Sequence, residues 1–385
     1  MKTRKKTIAL VLAAIIIIAL ASSCAGEKNG QDDQNNQTAQ AETSAQTSPS
    51  VSTSASQSPS PAPSTSPSAS PSASQPPSSP DQSPGVSPDQ NGGEAKEEPS
   101  AQAGTPPPSA PAIDTDRDGN KITLPDKIER IMSIGPSNTE IIVALGFADN
   151  IIATDEYSDN VPGIKPGISL FSMMTPDGEQ IISMAPDVIF VTGMSMAGGD
   201  DPFRIIADAG ICLIYMPSST SIEGIKEDIR FIAAVLGAES KGEQIVADME
   251  GEIDNIISVG RTITEKKKVY FEIAAAPYMY SFGQGTFLNE LIEMIGAVNI
   301  FADQISWISV ADEAILDADP DVILTSVNYI DDPVGEIKSR DGWDGMTAIK
   351  NDAVYYISTD ASNRPSQNVV IALLEMAKAI YPDSY

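Results

Sequence analysis

Trp307-Ile-Ser-Val-Ala-Asp-Glu313-Ala-Ile-Leu-Asp-Ala-Asp-Pro320-Asp321-Val-Ile-Leu324 decides how this sequence folds. Its second half has a counterpart earlier in the chain, Glu179-Gln-Ile-Ile-Ser-Met-Ala-Pro186-Asp187-Val-Ile-Phe190. In both copies a Glu lies seven residues before a Pro-Asp pair, and an apolar run follows at once. Such a pattern specifies a short helix, a stop at proline and then a buried strand. The helices should start at Thr175 and Ser309 as N-caps. A second pair of echoes precedes these: Thr139-Glu140 through Gly146 with Asn150-Ile151, and Asn289-Glu290 through Gly296 with Asn299-Ile300. The order is the same in both halves, so one domain plan is used twice.

Only part of the 385 residues can build those halves. Residues 25–112 are dominated by Ser, Pro, Gln, Ala and Thr. Such a segment cannot bury enough apolar surface to offset its ordering entropy. About 270 residues remain, enough for one large domain or two lobes. Of the 24 basic and 53 acidic side chains, six and nine fall in residues 1–112, which leaves 18 and 44 elsewhere and a net charge of −26 there. A surface this acidic argues against nucleic acid and against an anionic membrane face. Histidine is absent. That removes a histidine general base, a Ser-His-Asp triad and every histidine-based metal site, and the sequence offers no catalytic or metal constellation in their place. Of the two cysteines, Cys24 and Cys212, only the second lies in the folding part. No internal disulfide can form there, and the apolar strand around Cys212 predicts a buried, inert thiol.

The basic residues Lys2, Arg4, Lys5 and Lys6 precede a wholly apolar run from Ile8 to Leu20. Thirteen helical residues span only about 20 Å, short of a bilayer, so this is an export signal rather than a stable span. It ends Leu20-Ala-Ser-Ser-Cys24, which resembles the bacterial lipobox with its aliphatic residue one place early. The resemblance implies lipidation of Cys24; ordinary cleavage leaving a free thiol is the alternative. Residues 25–112 would then be a tether with an r.m.s. reach of roughly 50 Å. Order should begin near Ile113, with a hairpin turn at Asp116–Lys121 and a short strand to Leu124. Strands and helices then alternate through Met216, the mark of a parallel sheet: Arg130–Ile134, a helix opened by a Ser137/Glu140 capping box, Ile151–Thr154, a helix over Thr175–Met184, Asp187–Thr192, a helix over Pro202–Ala209 and Ile211–Met216. Residues 221–264 read as a connecting helical segment, relieved at Gly237-Ala238, with Ile245, Met249, Ile253 and Ile256 on one apolar face. Alternation resumes at Lys268–Ile273 and closes with a helix over Pro365–Ile380. The expected plan is an N-terminal lobe over 113–220 and a C-terminal lobe over 265–385, with a cleft between them.

The stretches RIMSIGPSNTEIIVALG, APDVIF, GTFLNELIEMIGAVNIFAD, WISVADEAILDADPDVIL and NRPSQNVVIALLEMAKAIYP, in this order, resemble the substrate-binding proteins of ABC importers for cobalamin and ferric siderophores. The resemblance covers Ile113 to Tyr385. It implies the class III periplasmic-binding fold, two Rossmann-like α/β lobes joined by a long helix. It also implies a non-enzymatic, monomeric carrier, lipid-anchored on the extracytoplasmic face, that hands its ligand to a permease dimer with its ATPase. Trp307 matches a tryptophan that lines the cleft in cobalamin binders, and Tyr157 a tyrosine that faces the ligand. Arg364 matches a cleft arginine. From the aromatic run Tyr278, Tyr280 and Phe282, Tyr280 is the ligand-binding choice. Glu179 and Glu313 match the glutamates that meet arginines on the two permease subunits. A corrinoid is the first choice of ligand, because of Trp307; a ferric siderophore or haem is the alternative, and a tethered surface sensor a further one. Met173, Met174, Met194 and Met196 are expected as core or loop filler.

Overall fold

The apolar runs of the first half become five strands: β1 (Ile131–Ile134), β2 (Ile151–Asp155), β3 (Ser169–Phe171), β4 (Val188–Thr192) and β5 (Cys212–Met216). They form one parallel sheet in the order β3-β2-β1-β4-β5. Helices α1 (Pro136–Ala144), α2 (Gly178–Ser183) and α3 (Arg204–Asp208) make the crossovers. These coordinates are a computed structural model that describes residues 113–196, 199 and 201–385. The export segment, Cys24 and the 25–112 tether lie outside the described residues. Along β4, Val188 and Phe190 point into one apolar cluster while Ile189 and Val191 point into another. A strand covered on both faces needs this unbroken apolar run.

Two helices follow, α4 (Ile222–Val235) and α5 (Glu239–Gly260). They are an antiparallel hairpin rather than one rod relieved in the middle. Gly237, at φ 66°, makes the turn, and Lys226–Glu250 and Arg230–Glu243 ion pairs run across the seam at 2.9 and 3.0 Å. Gly242 permits the close approach, since a Cβ there would lie 2.5 Å from the Ala233 Cβ. The joining helix is therefore α5 alone, about 33 Å long for its 22 residues. Its predicted apolar face of Ile245, Met249, Ile253 and Ile256 is buried.

The second lobe repeats the plan. Strands β6 (Lys268–Glu272), β8 (Val298–Asn299), β10 (Val322–Thr325) and β11 (Val354–Tyr356) form a parallel sheet in the order β11-β10-β6-β8, while β7 (Tyr280–Phe282) and β9 (Trp307–Ser309) form an antiparallel ribbon. Helices α6 (Phe287–Met294), α7 (Asp312–Ala318), α8 (Pro333–Lys338), α9 (Thr347–Lys350), α10 (Thr359–Asn363) and α11 (Val369–Ile380) complete it. One apolar cluster runs through both lobes. It takes one face of each sheet together with α4, α5 and α11. Each sheet's other face has a cluster of its own.

The echoed stretches are the same structure built twice. Ala185 and Asp319 both turn left-handed, at φ 46° and 44°, immediately before the Pro-Asp pair. Asp187 Oδ2 then accepts from the backbone N–H groups of Glu129 and Arg130, each at 2.8 Å. Asp321 Oδ2 accepts from that of Lys268 at 2.7 Å. Arg130 donates to the carbonyls of Met184 and Ala185, and Lys268 to that of Ala318. In each lobe the aspartate ties the start of the central strand to the strand beside it, and a cation closes the preceding helix end.

Several local expectations are corrected. The strand to Leu124 shrinks to a single bridge between Thr115 and Lys121. The Ser137/Glu140 capping box does not form: Gly135 is the N-cap, without a side-chain cap. Asp177 rather than Thr175 caps α2, accepting from the Gln180 N–H at 3.0 Å. Ala311 rather than Ser309 precedes α7, because Ser309 is paired with Tyr280 in the ribbon. The closing helix is broken over Arg364–Asn368. Pro365 disfavours helical backbone at the residue before it, and Arg364 is extended at φ −115°, ψ 108°. Cys212 is half-buried on the edge strand rather than fully enclosed.

Candidate functional site

Parallel sheets bind ligands beyond the carboxyl ends of their strands, and both lobes place candidate residues there. In the first lobe β2 ends at Asp155, which is fully buried and accepts from the Gly135 and Tyr157 N–H groups, each at 2.8 Å, and from Ser158. Burial pushes its carboxyl up from the ordinary range against the pull of those donors. This aspartate fixes the loop that carries Tyr157, a half-buried side chain packed beside the outer cluster. Ser133, Thr139 and Ser158 complete a buried hydroxyl network beneath it.

In the second lobe Glu272 ends β6. Arg340 clasps it with two nitrogens at 2.7 and 2.8 Å, holds Glu336 at 2.6 Å and lies over the Trp343 ring. The ion pair holds the guanidinium charged. Trp307 opens β9. Its indole is partly buried, edge-on to Phe282 and Phe287. Tyr280 stands on the neighbouring strand but is only 8% exposed, too little to present a ring to a ligand. By register it lies on the same face of the ribbon as Phe282 and Trp307, and it is buried there. The open aromatic of that run is Tyr278, 73% exposed in the loop that leaves β6.

The structure brings Arg364 to Tyr157, but not as a free cleft cation. Its Nη1 donates to Glu140 Oε1 at 2.8 Å, and its Nη2 to the Tyr157 carbonyl at 3.1 Å and to Asn160 Oδ1 at 2.8 Å. Asp360 lies 2.9 Å from the same Nη2. Glu140 Oε2 also accepts from Ser366 and from Asn368 Nδ2. The broken last helix of the second lobe is thereby fastened to α1 of the first. The counterpart in the repeat, Glu290 on α6, accepts from the Ile222 N–H at the start of α4, at 2.7 Å. Each lobe's glutamate thus holds the helix that ends the other lobe's sheet. The Thr139-Glu140 and Asn289-Glu290 echo pointed to this pair, although its local reading as a cap hid the role of Glu140.

Glu179 and Glu313 are both the second residue of their helices, α2 and α7, and both are exposed. That is two places nearer the helix start than expected, yet the positions still correspond. Among the described residues neither side chain has a hydrogen-bond or ion-pair partner. A groove of about 570 Å³ lies elsewhere, walled by α4, α5 and α6 rather than by strand-end loops, and its Lys226 is already paired with Glu223 and Glu250.

Residues 131–361 match the sequence profile of the family described as periplasmic binding protein. The chain belongs to the periplasmic binding protein family. It is 31% identical over 277 residues to the Bacillus subtilis ABC transporter substrate-binding lipoprotein YvrC, covering 71% of this chain and 87% of that one. It is 25% identical over 256 residues to the vitamin B12-binding protein of Vibrio cholerae, covering 66% and 89%. A solved structure of a possible iron-binding, periplasmic solute-binding protein from Staphylococcus epidermidis superposes with a TM-score of 0.60 at 28% identity, covering 66% of this chain and all of that one. The family's fold is the one described above, and its members are substrate-binding components of importers rather than enzymes.

Proposed function

We propose that this chain is a lipid-anchored, extracytoplasmic substrate-binding protein of an ABC importer that captures a metal-chelate nutrient, with a corrinoid as the favoured ligand. One observation carries the transport reading. Glu179 and Glu313 are exposed, without a side-chain partner among the described residues and at the same place in each repeat, one anchor per lobe for a two-fold permease. The positive helix end stabilises each charge locally, but that alone does not account for a matched pair. The acidic surface steers the carrier towards a basic permease mouth, and pairing at the two anchors fixes register. The corrinoid reading draws support from the partly buried indole of Trp307 and from the vitamin B12-binding relative. A ferric siderophore or haem is the second reading. In this proposal Trp307, Tyr157 and the exposed Tyr278 meet the ligand, while Tyr280 is buried within the ribbon.

Glu179→Arg combined with Glu313→Arg should leave ligand affinity unchanged and abolish ligand-stimulated ATP hydrolysis by the reconstituted permease. Normal uptake with the double variant would refute the docking assignment. Cys24→Ala should move the protein from the membrane to the soluble fraction without loss of ligand binding; retention in the membrane would refute the lipid anchor.

A further inference from the structure

The loops leaving the carboxyl ends of the parallel strands are poor in cations. Across residues 135, 156–168, 172–177, 193–203, 217–221, 273–279, 300–306, 326–332 and 357–368 the sequence places only two, Lys165 and Arg364. The same loops carry acids at nine positions, among them Glu156, Asp159, Asp201, Asp303, Asp332 and Asp360. Lys165 is drawn away from this edge, to the carbonyl and carboxylate of Asp149, a residue that precedes β2. Arg364 is committed to Glu140, Asn160, Asp360 and the Tyr157 carbonyl. Arg340 reaches the end of β6 from below but is enclosed by Glu272 and Glu336. Arg204, the first residue of α3 just past the 193–203 loop, is exposed rather than buried. Among the described residues, an anion buried between the two sets of strand ends would find no unpaired buried cation.

That arrangement restricts the ligand. Burying a charge without a partner costs several kcal/mol even after relaxation. Displacing Glu140 from Arg364 would only move the uncompensated charge, because Glu140 is itself buried. The net charge of −26 on the folded part adds long-range repulsion of anions and slows their encounter. From this charge distribution, and resting on the chelate-binding reading above, we infer that the cleft selects ligands that are neutral or cationic overall and rejects chelates of net negative charge. A neutral corrinoid or a cationic ferric hydroxamate fits. A ferric tris-catecholate, and haem entering with two ionised propionates, do not.

The test is calorimetric titration of the full chain in detergent with four probes: cyanocobalamin, a cationic ferric trihydroxamate, a trianionic ferric tris-catecholate, and haem. At low ionic strength at least one of the first two should bind, with the catecholate and haem at least about a hundredfold weaker. Tight binding of either anionic probe overturns the charge rule and leaves the carrier reading standing. Failure of all four to bind overturns the chelate reading, and the charge rule falls with it.

Discussion

Trp307 is the residue on which the ligand assignment turns, and its setting separates two contributions. The indole packs edge-on to Phe282 and Phe287, so part of it belongs to the core. Trp307→Ala should weaken ligand binding by about 1–3 kcal/mol, the loss expected for a buried aromatic contact. It should also lower the thermal midpoint, because the two phenylalanine rings lose a neighbour. Tyr278→Ala makes the contrast: its 73% exposure means the melt should be unmoved while affinity falls. Calorimetry and a melt on both variants separate the two; affinity unchanged in Trp307→Ala places the indole outside the cleft. At this scale the sequence was legible where chemistry is local and misleading where it is not. Glu140 looked like a capping-box residue because Ser137 stood three places before it. Its real partners lie over two hundred residues away, at Arg364, Ser366 and Asn368. No spacing rule reaches that far. Tyr278 and Tyr280 belong to one alternating run, yet Tyr278 falls in the loop before β7 and is exposed, while Tyr280 begins the strand and is buried.

At the scale of elements, the repeat was the most legible feature of the sequence. A glutamate, a Pro-Asp pair and an apolar run specify helix, break and strand, and both copies fold that way. What the pattern did not disclose is the use of the aspartate. Asp187 accepts from two backbone N–H groups at the start of the neighbouring central strand, and Asp321 from one. These bonds are exposed, so water can replace the carboxylate, and Asp187→Ala and Asp321→Ala should each cost about 0.5–1.5 kcal/mol in denaturant unfolding. The loss should be the larger at Asp187, which holds two N–H groups where Asp321 holds one. A loss at only one would show that the tie is incidental at the other. The helical hairpin of α4 and α5 was read as a single segment because apolar periodicity continues through both. The turn at Gly237 changes direction without changing period, and tertiary packing of Gly242 on Ala233 is what folds one helix back on the other.

At the scale of the whole molecule, two lobes are joined by α5 and fastened by side chains that cross between them. A helix resists bending, and the Arg364–Glu140 contact adds a second point of attachment. Ligand binding should therefore change the radius of gyration in small-angle scattering by no more than a few tenths of an ångström. Arg364→Ala should enlarge that change; a large closure in the unaltered protein would show the fastening to be weak. The crossing of the two fastenings has a thermodynamic meaning of its own. Glu140 grips what ends the second half, Glu290 grips what ends the first, and one apolar cluster runs beneath both. Neither half can melt without releasing a helix that the other needs for its own burial. Although the sequence is visibly a duplication, the copies have given up independence: heating should yield one heat-capacity peak, and a gene cut at the boundary between them should encode two fragments that acquire structure only when mixed.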